Sequence, residues 1–259
     1  MDVYAENIGG IKEFHPFRNV NGYIWIPKKY KIIYEEVIDD ISRIPFNDYE
    51  INKLIWIYIS IFWLDSWYND DATTFTPKTR FYEMDSENEY FDEPKFARLN
   101  SISSKTLSKV TSLEQAKCIL YNSDRCNNSM SMAKVYNLSI NIAIRDWINI
   151  YYGAEYRCFI YNEKLCAICP HGISDLDIDD NELTYRVYQL LHKARYHLPF
   201  EDCIVDVFLS ENKELDCIIE FNSYGIWANS TSGAFNWITD KHDLENLPVT
   251  IKGRHSPFF

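Results

Sequence analysis

Five short strand-like segments in the second half of the chain constrain its fold more than any other feature. They are rich in Val, Ile, Phe, Tyr and Cys, as the strands of a buried sheet are. The second and third segments meet at the dipeptide Asn162-Glu163, which predicts a β-hairpin. The five are SINIAIRDW (139–147), AEYRCFIYN (154–162), KLCAICPHG (164–172), DCIVDVFLS (202–210) and LDCIIEFNS (215–223), and one helical segment, DNELTYRVYQLLHKARYHL (180–198), interrupts them.

The first third of the chain is predicted to be largely helical. Residues 31–44, KIIYEEVIDDISRI, repeat apolar side chains at the spacing of an amphipathic helix. Residues 54–64, LIWIYISIFWL, form an apolar run that is too short to cross a membrane, which takes roughly 20 residues. We therefore interpret this run as a buried core helix.

An acidic stretch follows, and it predicts where the lobes of the protein divide. Residues 83–93, EMDSENEYFDE, carry six acidic side chains without an apolar period, which indicates a solvated loop. Further on, TSLEQAKCIL predicts a helix that begins near Thr111 or Ser112, because a hydroxyl cap precedes acidic and apolar positions. The predicted division is a helical N-terminal part (1–82), an acidic loop (83–93), a smaller lobe (94–138) and a larger strand-rich lobe (139–259).

Charge and cysteine content exclude some classes of protein. The 259 residues carry a formal net charge of −12, and an acidic surface repels the phosphates of nucleic acids. The seven cysteines are odd in number and follow no disulfide framework, and the N-terminus shows no charged-then-apolar signal segment. We expect a cytoplasmic protein with free thiols that binds neither nucleic acid nor membranes.

Two patterns imitate metal sites. Cys166 and Cys169 precede His171, but residues three apart on a strand face opposite sides, so we expect structural thiols rather than zinc ligands. The segment that begins at Asp175 is similar to a calcium loop, yet Asp180 stands where the sharp turn of that loop requires Gly. We expect an acidic loop that leads into the following helix.

Polar side chains also stand inside the strand-like segments, where the core of a sheet would not select them. Glu220 and Asn222 are two apart, so they leave their strand from the same face. Oxygen ligands hold Mg²⁺ and cations neutralise phosphate oxygens, so the set suits magnesium with a polyphosphate. The alternative, that these charges pair with one another across the sheet, stays open on the residue pattern alone. The set is Arg98, Lys105, Arg145, Glu155, Arg157, Asp206, Glu220 and Asn222.

Several of these segments resemble, in order, blocks of the cell division cycle protein 123 (D123) family. RDWINIYYGAEYRCFI is similar to the family's R-E-W, Gly-containing spacer and E-F-R-C-F-V. LNSISSKTL is similar to L-S-S-R-S-P-K-D-A, and IVDVFL with CIIEFNSYG is similar to D-V-Y with I-D-F-N-P-F-G. The resemblance covers about residues 94–240 and rests on the joint order and spacing of the blocks.

The resemblance implies an α+β, ATP-grasp-like fold whose two lobes hold ATP and Mg²⁺ between them. It implies that Asp206, Glu220 and Asn222 are the magnesium ligands. Two departures stand out: Glu220 replaces an Asp of the family, and Ser104 and Thr106 replace the Pro and Asp of its S-P-K-D segment. The implied ATP-binding residues are Arg98 and Lys105 near the phosphates, Arg157, and Arg145, Asp146 and Trp147 at the hinge near the adenine.

The function that the resemblance implies is that of an assembly chaperone for translation initiation factor 2, which binds the gamma subunit of that factor. We expect a monomer. Two alternatives remain: an ATP-grasp ligase that activates a carboxylate as an acyl-phosphate, and an interaction protein that keeps the scaffold without binding nucleotide. The abundance of Asn, Ile, Tyr and Lys suggests an AT-rich genome, such as that of a virus or intracellular microbe whose protein acts on a host factor.

Overall fold

The computed structural model describes two paired strands near the N-terminus and most of the chain beyond residue 75. The described residues are 3–7, 23–27, 76–105, 108–136, 139–149, 152–172, 175–194, 202–224, 233–237 and 239–254. The chain divides into two compact units. We call Trp56–Ile150 the small unit, and Met1–Ile55 with Tyr151–Phe259 the large unit.

The described elements mix helices with three sheets, which confirms the predicted α+β class. In chain order they are β1 (Val3–Asn7), β2 (Tyr23–Pro27), β3 (Thr79–Tyr82), β4 (Tyr90–Leu99), β5 (Lys109–Ser112), α1 (Leu113–Tyr121), α2 (Asp124–Tyr136), β6 (Ile142–Asp146), β7 (Gly153–Tyr161), β8 (Lys164–Pro170), α3 (Asp180–Ala194), β9 (Cys203–Ser210), β10 (Cys217–Ser223), α4 (Lys241–Glu245) and β11 (Thr250–Ile251).

The small unit is built on an antiparallel sheet of four strands in the order β3-β6-β4-β5. One face of this sheet carries Ala97 opposite Ile144 and Leu99 opposite Ile142, and these side chains are buried. They share a core with apolar residues of α1 and α2, so we call this the core face. Side chains alternate along a strand, and the opposite face therefore carries Arg145 opposite Phe96.

Helix α1 begins where the sequence predicts. Ser112 is its N-cap, and the Ser112 hydroxyl accepts a hydrogen bond of 3.2 Å from the backbone N–H of Gln115. Side-chain oxygens at this position satisfy backbone donors that the first helical turn leaves without partners. Leu113, Ala116 and Leu120 then face the core at helical spacing, which fixes the side on which α1 packs.

The large unit contains a sheet of five strands in the order β10-β9-β7-β8-β11. All its pairs are antiparallel except β8 with β11. Strands β7 and β8 form the predicted hairpin, and both turn residues, Asn162 and Glu163, have positive φ (51° and 61°), as a two-residue type I′ turn requires. The hairpin therefore matches the twist of the strands that it joins.

An apolar cluster covers one face of this sheet. Phe159 of β7 contacts Phe235 and Trp237 edge to face, with ring centroids 5.4 and 5.5 Å apart. Aromatic pairs in this geometry add to the free energy gained by burial. The buried members are Phe159, Ala167, Cys169, Ile204, Tyr224, Phe235 and Leu244.

The strand and helix predictions for residues 139–223 are confirmed, but two boundaries differ from those predicted. Strand β6 lies in the small unit rather than with the residues beyond 151, because it pairs with both β3 and β4. The predicted acidic loop is shorter, because β4 already begins at Tyr90.

The helices predicted within residues 31–44 and 54–64 lie outside the described residues. Within the part of the chain that the structure describes, no helix is long and apolar enough to cross a membrane.

Removing the α1 cap should weaken the small unit. Ser112→Ala leaves the Gln115 N–H without its acceptor, so we expect the free energy of unfolding to fall by about 1 kcal/mol. Ser112→Thr keeps the hydroxyl and should lose less. Urea unfolding of the two variants and the parent measures the difference, and equal losses would rule out the cap as the cause.

Candidate functional site

A row of polar side chains crosses the large sheet. In the register of the strands, Cys169 of β8 lies opposite Arg157 of β7, Arg157 opposite Asp206 of β9, and Asp206 opposite Glu220 of β10. Directly opposite residues of antiparallel strands share a face, so the four belong to one face of the sheet. Asn222, two residues beyond Glu220 on β10, joins the row through a contact with Asp206. We call these residues the charged row.

The centre of the charged row is a buried ion pair. Arg157 donates to both carboxylate oxygens of Asp206, from Nε to Oδ1 at 2.8 Å and from Nη2 to Oδ2 at 2.7 Å. The two side chains are only 5% and 2% exposed. Asn222 adds a third bond, from Nδ2 to Asp206 Oδ2 at 3.0 Å. A bidentate pair of this kind fixes both partners in orientation as well as in position.

The charges of the row act on one another. Burial alone would lower the pKa of Arg157, but its hydrogen bonds to Asp206 and the negative charges of Asp206 and Glu220 outweigh that effect and raise the pKa above its ordinary value. Arg157 is therefore a permanent cation. Two carboxylates share this one guanidinium, so the row carries an excess of negative charge that a bound cation would reduce.

Two neighbours of Arg157 could not be found from residue types alone. The Nη2 atom of Arg157 lies 3.5 Å from His171 Nε2. Cys169 on the neighbouring strand β8 lies directly opposite Arg157. Burial raises the pKa of the Cys169 thiol, so this side chain is not an activated nucleophile. The register of the β7–β8 hairpin could have predicted both neighbours, because the turn at residues 162–163 sets which residues of the two strands lie opposite each other.

The donor set of the charged row fits magnesium when phosphates complete the shell. It offers the carboxylates of Asp206 and Glu220 and the amide of Asn222, and hard cations prefer such oxygen ligands. Among the residues that the structure describes, no three His, Cys, Asp or Glu side chains are arranged to hold a metal ion. Mg²⁺ is commonly held by one or two carboxylates together with the phosphates of a nucleotide, so the residues present suit that mode and not a site made by protein alone.

The remaining residues of the predicted ATP site lie in the small unit. Arg145 is buried on the face opposite the core face, and its Nε donates to Thr79 Oγ1 at 3.1 Å. Arg98 is partly buried and donates from Nε to the backbone carbonyl of Leu99. Lys105 is exposed in the loop after β4, with a φ of 60°.

Trp147 follows β6 and forms an aromatic and cationic group that the sequence did not indicate. The Nζ of Lys109 lies 5.0 Å from the centre of the Trp147 ring, and the ring of Phe96 is 6.5 Å away. Lys109 lies opposite Phe96, and Phe96 opposite Arg145, so β5, β4 and β6 contribute to one surface. Asp146 is separate from this group, because it is on the core face and pairs with Lys95 at 2.7 Å.

The α+β fold and the segments that carry the charged row match those of a known protein family. The model of the D123 family matches residues 102–248, more than half of the chain. The chain therefore belongs to the D123 family. The matched residues include every member of the charged row.

Two relatives extend the comparison. A CDC123-like protein of Acanthamoeba polyphaga mimivirus is 26% identical, and the match covers 89% of this chain and 81% of that protein. A translation initiation factor eIF2 assembly protein of Xenopus laevis is 22% identical over 56% of this chain. The chain spans less than half of the length of the Xenopus protein, since that match covers 46% of it.

The fold itself has a solved counterpart. The structure of C-terminally truncated Cdc123 from Schizosaccharomyces pombe matches with a TM-score of 0.59 at 17% sequence identity. The match covers 74% of this chain and 95% of the other. It shows that this chain shares the α+β fold of Cdc123.

Breaking the buried ion pair should destabilise the large unit. Arg157→Met leaves the Asp206 carboxylate buried without its cation, so we expect the free energy of unfolding to fall by about 3–5 kcal/mol. The double variant Arg157→Met/Asp206→Leu removes both charges and should lose less than the single one. Urea unfolding measures both, and a single variant as stable as the parent would show that the pair does not hold the sheet together.

Proposed function

We propose that this chain is an assembly factor for translation initiation factor 2. The observation that carries the proposal is membership of the D123 family together with the match to a Xenopus protein named for eIF2 assembly. The partner within the factor is its gamma subunit, as the family resemblance implies. The net charge of −12 favours association with a basic or neutral protein surface. We place this activity in the cytoplasm, with the chain as a monomer.

The same proposal includes ATP and Mg²⁺ as ligands. Asp206, Glu220 and Asn222 hold the metal, and the bound metal supplies positive charge to the phosphates. Arg157 does not replace the metal but fixes the Asp206 carboxylate, since it engages both oxygens of that group. The support for the metal site is the excess of negative charge in the charged row and the oxygen ligands that Asp206, Glu220 and Asn222 offer.

The residues of the small unit have proposed roles with the nucleotide as well. Arg98 and Lys105 are cations suited to phosphate oxygens. Arg145 and Trp147 belong to the hinge near the adenine, to which Trp147 offers a flat aromatic surface. The pairing of Asp146 with Lys95 on the core face makes Asp146 the least supported member of the predicted set.

The mimivirus relative bears on where such a protein acts. Its match extends over 89% of this chain, further than the match to the Xenopus protein. This supports a viral or microbial version of the family that acts on the initiation factor of a host.

Binding of ATP should depend on magnesium and on Glu220. Titration calorimetry of ATP into the purified chain, with Mg²⁺ or with EDTA, should give measurable binding only with the metal. Glu220→Gln removes one charged ligand at constant shape and should weaken binding by about 10-fold or more. The matched control is Glu214→Gln, an exposed residue between β9 and β10, which should bind as the parent does. Equal affinity of the two variants would remove Glu220 from the metal site, and no binding in any condition would overturn the nucleotide proposal.

Association with the initiation factor is the test of the assembly role. We expect the immobilised chain to capture purified gamma subunit in the presence of ATP and Mg²⁺, measured by biolayer interferometry. The variant Glu220→Gln should capture less, because the metal-bound nucleotide is part of the proposed state. An absence of capture by the parent chain would reject the assembly role for this protein.

A further inference from the structure

The last five residues of the acidic stretch, residues 89–93, form one wall of a cleft in the small unit. The cleft has a volume of about 360 Å³, within the range of sites that bind small groups. Strand β4 contributes Tyr90 to Glu93, and Arg80 of β3 and Asp146 of β6 lie across from them. None of the functional roles proposed above uses this stretch.

Except for Asp146, the residues that line the cleft are not among the predicted nucleotide contacts. Arg80 lies opposite Ile144, and Lys95 opposite Asp146, so the cleft opens at one end of the core face. Arg145 and Phe96 project from the other face of the same sheet. A ligand in the cleft would therefore not compete with a group bound beside Arg145.

A bulge in β4 presents the acidic wall. Tyr90 pairs with Ser112 of β5, and Lys95 pairs with Val110, so β4 has four residues between these pairs where β5 has one. The extra residues leave the ladder, and bulges of this kind redirect side chains near binding sites. Here Asp92 and Glu93 are exposed at the rim, and Tyr90 is 79% exposed beside them.

Two of the three cations that line the cleft are engaged by acids. Arg80 Nη1 lies 3.0 Å from Glu89 Oε1, and Tyr82 donates to the other oxygen of Glu89 at 2.9 Å. Lys95 pairs with Asp146 at 2.7 Å. The lining holds four acidic and three basic side chains, so the cleft has a net negative charge. Asp92 and Glu93 carry negative charge at its rim. A phosphate or carboxylate ligand would meet Asp92 and Glu93 first and be repelled.

We propose that this cleft is a docking pocket for a basic side chain, Arg or Lys, of a protein partner. The exposed ring of Tyr90 offers a face to the cation, and the carboxylates of Asp92 and Glu93 offer charge-assisted hydrogen bonds. Arginine anchors surrounded by such groups are frequent centres of protein interfaces. The proposal deepens the proposed function and rests on it for the identity of the partner, the initiation factor.

The first arm of the test asks whether the cleft takes a basic side chain at all. The peptide Gly-Arg-Gly is titrated into the isotope-labelled chain, and the backbone amide signals of residues 89–95 are followed by NMR. We expect saturable chemical-shift changes with this peptide and none with the matched Gly-citrulline-Gly, which has the same charged termini but a neutral side chain. Absence of shifts with the arginine peptide, or equal shifts with both peptides, would overturn the pocket.

The second arm asks whether the pocket serves the factor. The charge-reversed variant Asp92→Lys/Glu93→Lys should bind the purified gamma subunit about 10-fold more weakly. The control Asp85→Lys/Glu87→Lys makes the same change of net charge in the same acidic stretch, outside the cleft, and should stay within about twofold of the parent. Equal weakening of both variants would overturn the pocket in favour of general charge attraction. Failure of the parent to bind would instead overturn the assembly role, while the peptide arm still decides the pocket.

Discussion

The buried pair of Arg157 and Asp206 is the interaction on which the rest of the candidate site depends. Taking two charges out of water is unfavourable, and only close, well-oriented bonds offset that penalty. Arg157 meets this condition by bonding to both carboxylate oxygens. As a result Asp206 has one orientation, and Asn222 takes its own from the bond to Asp206. Neighbouring strands in register then bring Glu220 to the same face.

The location of this pair also explains why the large sheet combines a polar row with an apolar cluster on one face. Phe159 is two residues from Arg157, and Ile204 is two residues from Asp206. The charged row therefore lies next to a row of apolar side chains on the same face. The aromatic rings keep water from that end of the face. Low polarity nearby strengthens the attraction between the buried charges.

Much of the fold could be predicted from the sequence because its signals are local. Ser112 caps α1 through a neighbour three residues away, and the Asn162-Glu163 turn joins adjacent strands. Glu220 and Asn222 share a strand, so their common face followed from spacing alone. The engagement of Asp206 by Arg157 is different, because it joins residues 49 positions apart and depends on the register of β7 with β9. The assignment of β6 to the small unit and the contact of Lys109 with Trp147 are long-range in the same way.

The β7–β8 hairpin has a consequence for the order in which the large unit folds. Its strands are joined by two residues, so closing that loop costs little chain entropy, whereas β7 meets β9 only after a connection of some forty residues is closed. Local pairings form before distant ones when entropy limits the rate. Arg157 would then enter the hairpin while its carboxylate partner is still distant. The Arg157 guanidinium gains its carboxylate partner only when β9 pairs with β7, so the buried ion pair joins the early hairpin to the strand that arrives later.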